Sequence, residues 1–306
     1  MSQLTAAYAH AEENGLLAGK IISMPGADVD FEAELAQMPA KLCSLPPLNS
    51  IASRVLSISS NPECDIKRLS SVIETDPAFA AEVLFLANSP LFGFPSKMEV
   101  LHRAITVLGL DRIQALAMTV AMRAFVSGGG PLVRQCWRHS AASAVIAERI
   151  SSVFGVPGDQ SYSALLLHDI GRLGLVQCYP REMSPVLNTG YGNLTDVLAA
   201  ERDAIRVDHV VAGAWLVKNW SLPDSFADVC RHHHDPLQPA DSNLLKLAKA
   251  ACKIADTLDY SAVQYRPAAS YESLVAALPA GLDPSRFPSE EELREHVQVR
   301  LASFEQ

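Results

Sequence analysis

The segment Leu165-Leu-Leu-His-Asp-Ile-Gly-Arg-Leu-Gly174 places a histidine and an aspartate side by side inside an apolar run. Burying both is costly unless a partner or an ion compensates. On a helix, adjacent residues point about 100° apart, so one pair can offer an imidazole and a carboxylate to the same concavity. The carboxylate has two oxygens and can bridge two ions. Gly171 is read as keeping the helix surface open beside the pair. Arg172 is a permanently charged fork suited to a phosphate. A buried His–Asp hydrogen bond that merely supports structure fits the doublet alone about as well.

Other polar residues extend the set outward from this doublet. His139 flanks the apolar stripe Leu132, Cys136, Ser140, Ala144 of an upstream helix. His209 follows Asp208, a good N-cap, and Gly213 clears space on the same face. The run Arg231-His-His-His-Asp-Pro236 ends a helix at its Asp-Pro break. A cationic helix end explains one or two of those histidines and three less well. Asp256 sits on an otherwise apolar face of Leu247–Asp259, with Asp259 one turn on as a competitor. Each alone has an ordinary reading as a boundary or surface residue. In order, His…His-Asp…His…His-His…Asp on successive helices suggests a catalytic metal centre.

The bulk properties narrow the classes. The chain has 306 residues, 49% of them hydrophobic and 19% charged, enough for a sizeable core in two domains or lobes. A net charge of −9 argues against nucleic-acid binding by bulk electrostatics, though not against a local basic pocket. Six cysteines show neither CxxC pairs nor zinc-finger spacing and read as reduced, mostly buried thiols. The N-terminus lacks the pattern of a signal peptide. The most apolar window, Ile113–Val126, is too short to span a bilayer and contains Gln114 and Arg123. The expectation is a cytoplasmic protein without membrane contact; nothing in the sequence sets its oligomeric state.

Helical spacing dominates and strand alternation is nearly absent, so the fold class is all-α. Pro46-Pro47 opens a helix to about Ser59, with Leu48, Ile51, Val55 and Ile58 on one face. Asp65 and Asp76-Pro77 start the next two helices, the second carrying Ala81, Leu84 and Phe85 on one face. Leu91–Lys97 reads as an irregular loop. Gly109 caps the helix from about Val100, and Asp111 starts another reaching Phe125. Ser127-Gly-Gly-Gly-Pro131 is the clearest break. Helices follow at roughly 132–153, 160–178, 194–206, 209–220, 223–234 and 243–260, with a charged one near Glu290–Phe304. The domain reading is an extension 1–38, a helical lobe 39–127, a second helical lobe 131–262 with the candidate metal site, and a tail 263–306 packed on the body.

Over about residues 40–260 the chain resembles the HD-domain metal-dependent phosphohydrolase superfamily, whose name-giving pair is His168-Asp169. More narrowly it is similar to the HDOD family, the HD-related output domains of bacterial signalling proteins. The carrying segments are Leu45-Pro-Pro-Leu, Thr75-Asp-Pro-Ala, Ala87-Asn-Ser-Pro-Leu-Phe and Ala104-Ile-Thr-Val-Leu-Gly109. Further segments are Trp137-Arg-His-Ser140, His168-Asp-Ile-Gly171, His209-Val-Val-Ala-Gly213, Trp220-Ser-Leu-Pro223 and His233-His-Asp-Pro236. The resemblance implies a two-lobed helical protein with an HD-type bundle in the C-terminal lobe. It makes His233 and His234 the paired histidines, with His232 an extra neighbour. It implies one metal on His139, His168, Asp169 and Asp256, and a second on bridging Asp169 with His209, His233 and His234.

Three departures from the related HD-GYP phosphodiesterases stand out. Their Gly-Tyr-Pro signature is replaced by Asp235-Pro-Leu-Gln-Pro, Arg172 replaces a Lys, and Gln135 stands where some relatives place a Glu ligand. Cyclic di-GMP hydrolysis is therefore not expected. The leading expectation is a stand-alone regulatory module that binds signalling proteins, a nucleotide or a phosphorylated ligand. The alternative is a metal-dependent phosphohydrolase, with Asp169 in the metal-activated machinery and Arg172 on the phosphate. Either would carry one or two divalent ions, and mixed N/O ligation suits iron, manganese, nickel or zinc. DNA binding through the N-terminal lobe is weaker, because no Lys/Arg stripe marks a recognition helix.

Overall fold

A computed structural model describes residues 38–45, 50–59, 63–89, 97–192, 194–265, 270–278 and 282–304. The Pro46-Pro47 helix start with Leu48 and most of the Leu91–Lys97 loop lie outside them. The described chain is all-α. Its N-terminal helices are α1 (Ala40–Cys43), α2 (Ser50–Ser59), α3 (Ile66–Ile73), α4 (Pro77–Ala87), α5 (Leu101–Leu108) and α6 (Leu110–Val126). After the glycine run come α7 (Pro131–Phe154), α8 (Gly158–Leu167), α9 (Ile170–Cys178), α10 (Pro180–Asn188), α11 (Leu194–Ile205), α12 (His209–Asn219), α13 (Asp224–His232) and α14 (Asn243–Thr257). The tail holds α15 (Tyr271–Ala276) and α16 (Glu290–Phe304). Among the described residues, strand is confined to one parallel pair, β1 (Gly190–Tyr191) against β2 (Gln264–Tyr265).

Local chemistry sets many of these boundaries. Asp65 accepts from the Lys67 N–H, and Asp76 accepts from the N–H groups of Ala78 and Phe79. Caps of this kind contribute about 1 kcal/mol each. Gly109, at φ +82°, turns the chain between α5 and α6, which meet at 107°. No single described helix is long and apolar enough to cross a membrane. The buried face of α4 is Phe79, Val83 and Ala87, not the expected Ala81, Leu84 and Phe85; Phe85 is 81% exposed. The buried row repeats at i, i+4 and lies roughly 150° round the cylinder from the expected face.

Helix α7 is the spine of the core. From Val133 to Phe154 most of its side chains are buried, including Val145, Ile146 and Ile150. Helices α8, α14, α9 and α16 pack on it. Helix α6 packs against both α2 and α8, and Thr119 of α6 meets the Tyr162 hydroxyl of α8 at 3.2 Å. Gln177 donates to the Phe125 carbonyl at 2.7 Å, and the Phe125 ring meets Trp220 edge-on at 5.6 Å.

The helix expected over 160–178 is two helices. It breaks at the doublet: His168 ends α8 in helical conformation, and Asp169 departs from it at φ −105°, ψ 19°. Across the break, both side chains line the same centre.

Candidate metal centre

Four of the five imidazoles of the set, those of His139, His168, His209 and His233, are oriented through Nδ1. His139 Nδ1 faces the Tyr260 carbonyl at 3.0 Å, and His168 Nδ1 faces the Leu165 carbonyl at 2.6 Å. His233 Nδ1 lies 2.9 Å from the Cys230 carbonyl and 3.1 Å from that of Val229. A carbonyl only accepts, so in the neutral ring Nδ1 carries the proton and Nε2 carries the lone pair. His209 Nδ1 sits 2.6 Å from Glu201 Oε2, and the same oxygen accepts from the His209 N–H at 2.9 Å.

The Nε2 atoms then converge. Those of His139 and His168 are 3.2 Å apart, and those of His209 and His234 are 3.0 Å apart. Asp169 lies between the pairs. Its Oδ1 is 3.3 Å from His233 Nε2 and 3.4 Å from His209 Nε2, while its Oδ2 is 3.7 Å from His139 Nε2. His139, His168, Asp169, His209 and His233 are all between 0% and 2% exposed; His234 is only partly buried.

Electrostatics keep the donors ready. Burial alone would raise the Asp169 carboxyl, but the Arg172 guanidinium, with His168 and His209, holds it well below the usual carboxylate range. Burial pushes His168, His233 and His234 below the usual imidazole value, most strongly at His168 and His234. At neutral pH the centre therefore offers an ionised Asp169 carboxylate and neutral imidazoles at His168, His233 and His234.

The sequence-derived set sorts unevenly. Asp169, His209, His233 and His234 present ligand atoms within 4.8 Å of one another, and His139 and His168 form a second such group. Asp256 stands apart from both. Its Oδ1 is 3.6 Å from His139 Nδ1, on the ring edge turned away from His168. The third member of the second group is Cys252, one turn earlier on α14, with Sγ 3.7 Å from His139 Nε2.

Arg172 does not face outward as a phosphate fork. It is 2% exposed, pairs with Asp169, donates to Glu201 Oε1 at 3.3 Å, and lies 3.0–3.1 Å from both ring nitrogens of His209. Gln135 donates to the Ala262 carbonyl at 3.0 Å. His232 turns out to Asp235, 2.6 Å away. Gly171 is not open space: a Cβ there would lie 2.0 Å from the His209 carbonyl oxygen.

Glu201 and Cys252 were missed. The signal for Glu201 was present, since Val197, Glu201 and Ile205 form one i, i+4 row on α11 and all three are buried. A carboxylate between two apolar residues of a buried row is a candidate for a structural or site role.

The HDOD domain profile matches residues 45–236. The chain belongs to the HDOD domain family. An HDOD protein of unknown function from Geobacter sulfurreducens has the same fold, with TM-score 0.69 and 23% identity, covering 90% of this chain and 96% of that one. A Shewanella amazonensis SB2B protein with a provisional phosphohydrolase name gives 0.66 and 20%, covering 89% and 98%. A Marinobacter aquaeolei VT8 protein with a provisional signal-transduction name gives 0.61 and 21%, covering 92% and 66%. An uncharacterised Treponema pallidum protein is 24% identical over 91% of this chain; the chain spans 54% of that relative's length.

Whether this HDOD centre suits a metal is decided by its unpaired atoms. Asp169 Oδ1 and His233 Nε2 are buried with no hydrogen-bond partner. His139 and His168 aim lone pairs at each other. Buried polar atoms normally find partners, and leaving one unmade costs about 1–3 kcal/mol. A cation in each ligand group satisfies them. His139, His168 and His233 also give their other N–H to a carbonyl, and His209 to a carboxylate, the arrangement that orients metal ligands. The residues fit a divalent ion.

Proposed function

We propose that this HDOD protein is a signal-transduction module whose HD-type helices hold a divalent metal at the His/Asp centre, and whose output is binding rather than turnover. Its partner would be a signalling protein or a phosphorylated ligand. One observation carries this reading: the expected phosphate-binding cation is withdrawn into the core. Arg172, the cation expected to meet a phosphate, is as buried as the ligands and engaged with Asp169 and Glu201. Asp169, His209, His233 and His234 would hold one ion, with His139 and His168 beside it for a second.

The alternative is a metal-dependent phosphohydrolase acting on a nucleotide or phosphodiester. The placement of Asp169 favours it, because its two oxygens face the two ligand groups as a bridging carboxylate would. When bound, the metal would supply Lewis acidity and an activated water. Among the chain's own residues, Glu201 and the backbone carbonyls hold the imidazoles in one tautomer, and Arg172 keeps Asp169 ionised.

The test is elemental analysis of protein purified without chelators, followed by a turnover screen against nucleotides and phosphodiesters. Stoichiometric metal with no enzymatic turnover is expected. Hydrolysis at enzymatic rates transfers the assignment to the phosphohydrolase. Absence of metal, with His168→Ala changing nothing, removes both.

A further inference from the structure

We infer that Cys252 Sγ, not the Asp256 carboxylate, completes the His139–His168 half of the centre, making it a nitrogen–sulfur site for a thiophilic divalent cation. This deepens the metal-binding reading above and rests on it.

Cys252 and Asp256 lie one turn apart on the same face of α14, and both reach His139. They reach opposite edges of its ring. Asp256 Oδ1 is 3.6 Å from Nδ1, whereas Cys252 Sγ is 3.7 Å from Nε2. The Tyr260 carbonyl, 3.0 Å from Nδ1, holds the ring proton there. Only Nε2 keeps a lone pair, and of the two α14 residues Cys252 is the one on that side, where Asp169 Oδ2 also lies 3.7 Å from Nε2.

The second observation is independent of the thiol. His168, fully buried, has its Nδ1 proton committed to the Leu165 carbonyl, so its Nε2 also carries a lone pair. Two lone pairs 3.2 Å apart repel. The Cys252 S–H, a weak donor, can serve one of them and leaves the other without a partner. A cation held by Sγ and both Nε2 atoms resolves the conflict; the three atoms lie within 4.8 Å of one another.

On binding, the S–H bond breaks, its proton leaves to solvent, and the sulfur lone pair forms the bond to the metal. Burial raises the free thiol, and the charge of a coordinated ion overrides that. Asp256 then orients His139 from behind. A thiolate favours zinc or ferrous iron over manganese or magnesium.

The full chain loaded with cobalt(II) reports the ligand directly by absorption spectroscopy. A thiolate-to-cobalt charge-transfer band is expected beside the cobalt d–d bands. It should vanish in Cys252→Ser and persist in Asp256→Asn. Cobalt bound without the band overturns the Cys252 assignment and leaves the metal reading standing. A band kept in Cys252→Ser and lost in Asp256→Asn likewise overturns it. No bound cobalt overturns both. Should Cys252→Ser fold poorly, the Cys136→Ser/Cys230→Ser double variant decides, since Cys252 is then the only buried thiol among the described residues. Retention of the band supports the assignment and loss overturns it.

Discussion

Glu201 shows how much one side chain can organise. Its two oxygens touch Arg172, the His209 ring and the His209 N–H. Burial would raise its carboxyl, but His209, and Arg172 behind it, hold it below the usual range. Glu201→Gln keeps the shape and removes the charge. Metal affinity should fall about 10–100-fold, the usual cost of losing a partner that orients a ligand. Chelator competition measures this, and an unchanged affinity would show that Glu201 only fills space. At this scale the sequence was partly legible. The histidines and Asp169 stood out because imidazoles and carboxylates are rare in apolar runs. Glu201 hid in a row whose periodicity was readable, and Cys252 hid because a thiol looks like any small apolar residue in a core helix.

At the scale of elements, the crossing of α9 and α12 sets the distance between Asp169 and His209. A Cβ on Gly171 would lie 2.0 Å from the His209 carbonyl oxygen and 2.4 Å from the Gly213 nitrogen. Backbone cannot yield as a flexible side chain does, so Gly171→Ala must push the helices apart. It should cost at least the upper part of the overpacking range, about 3 kcal/mol. Gly213→Ala meets its nearest atoms at 3.3 Å and should cost clearly less. Urea unfolding ranks the two; equal costs would refute the close-crossing account. Capped starts at Asp65 and Asp76 were readable because a cap is local chemistry. Helix α10 falls in the gap between the helices expected over 160–178 and 194–206, although Pro180 at its first position begins a helix readily. The break at His168–Asp169 was not legible either, since it is imposed by partners distant in sequence.

For the molecule as a whole, the centre couples stability to acid and to metal. The folded state holds His168, His233 and His234 below the value of 6.5 they regain on unfolding. As pH falls past about 6.5 the unfolded chain binds more protons, so stability of the metal-free protein falls. The depressed carboxyls of Asp169 and Glu201 act in the same direction at lower pH. Their contribution is present above the ordinary carboxylate range and is lost as pH drops through their depressed values. Asp256, raised by burial, opposes this; its contribution is lost as pH rises past its ordinary value. Urea unfolding of chelator-treated protein should show stability declining from pH 7 to pH 5, and a flat profile contradicts the burial of neutral rings. At neutral pH, metal at a hundred times its Kd should add about 2.7 kcal/mol, read as a higher unfolding midpoint. The small parallel pair β1–β2 has a consequence of its own. By joining Gly190–Tyr191 to Gln264–Tyr265 it ties off the stretch that carries Glu201, His209, His233, His234 and Cys252. That stretch is a loop closed at its neck, which shortens the free chain available to its helices. Their amides should exchange with deuterium as one cooperative unit, slowed together when the centre is filled.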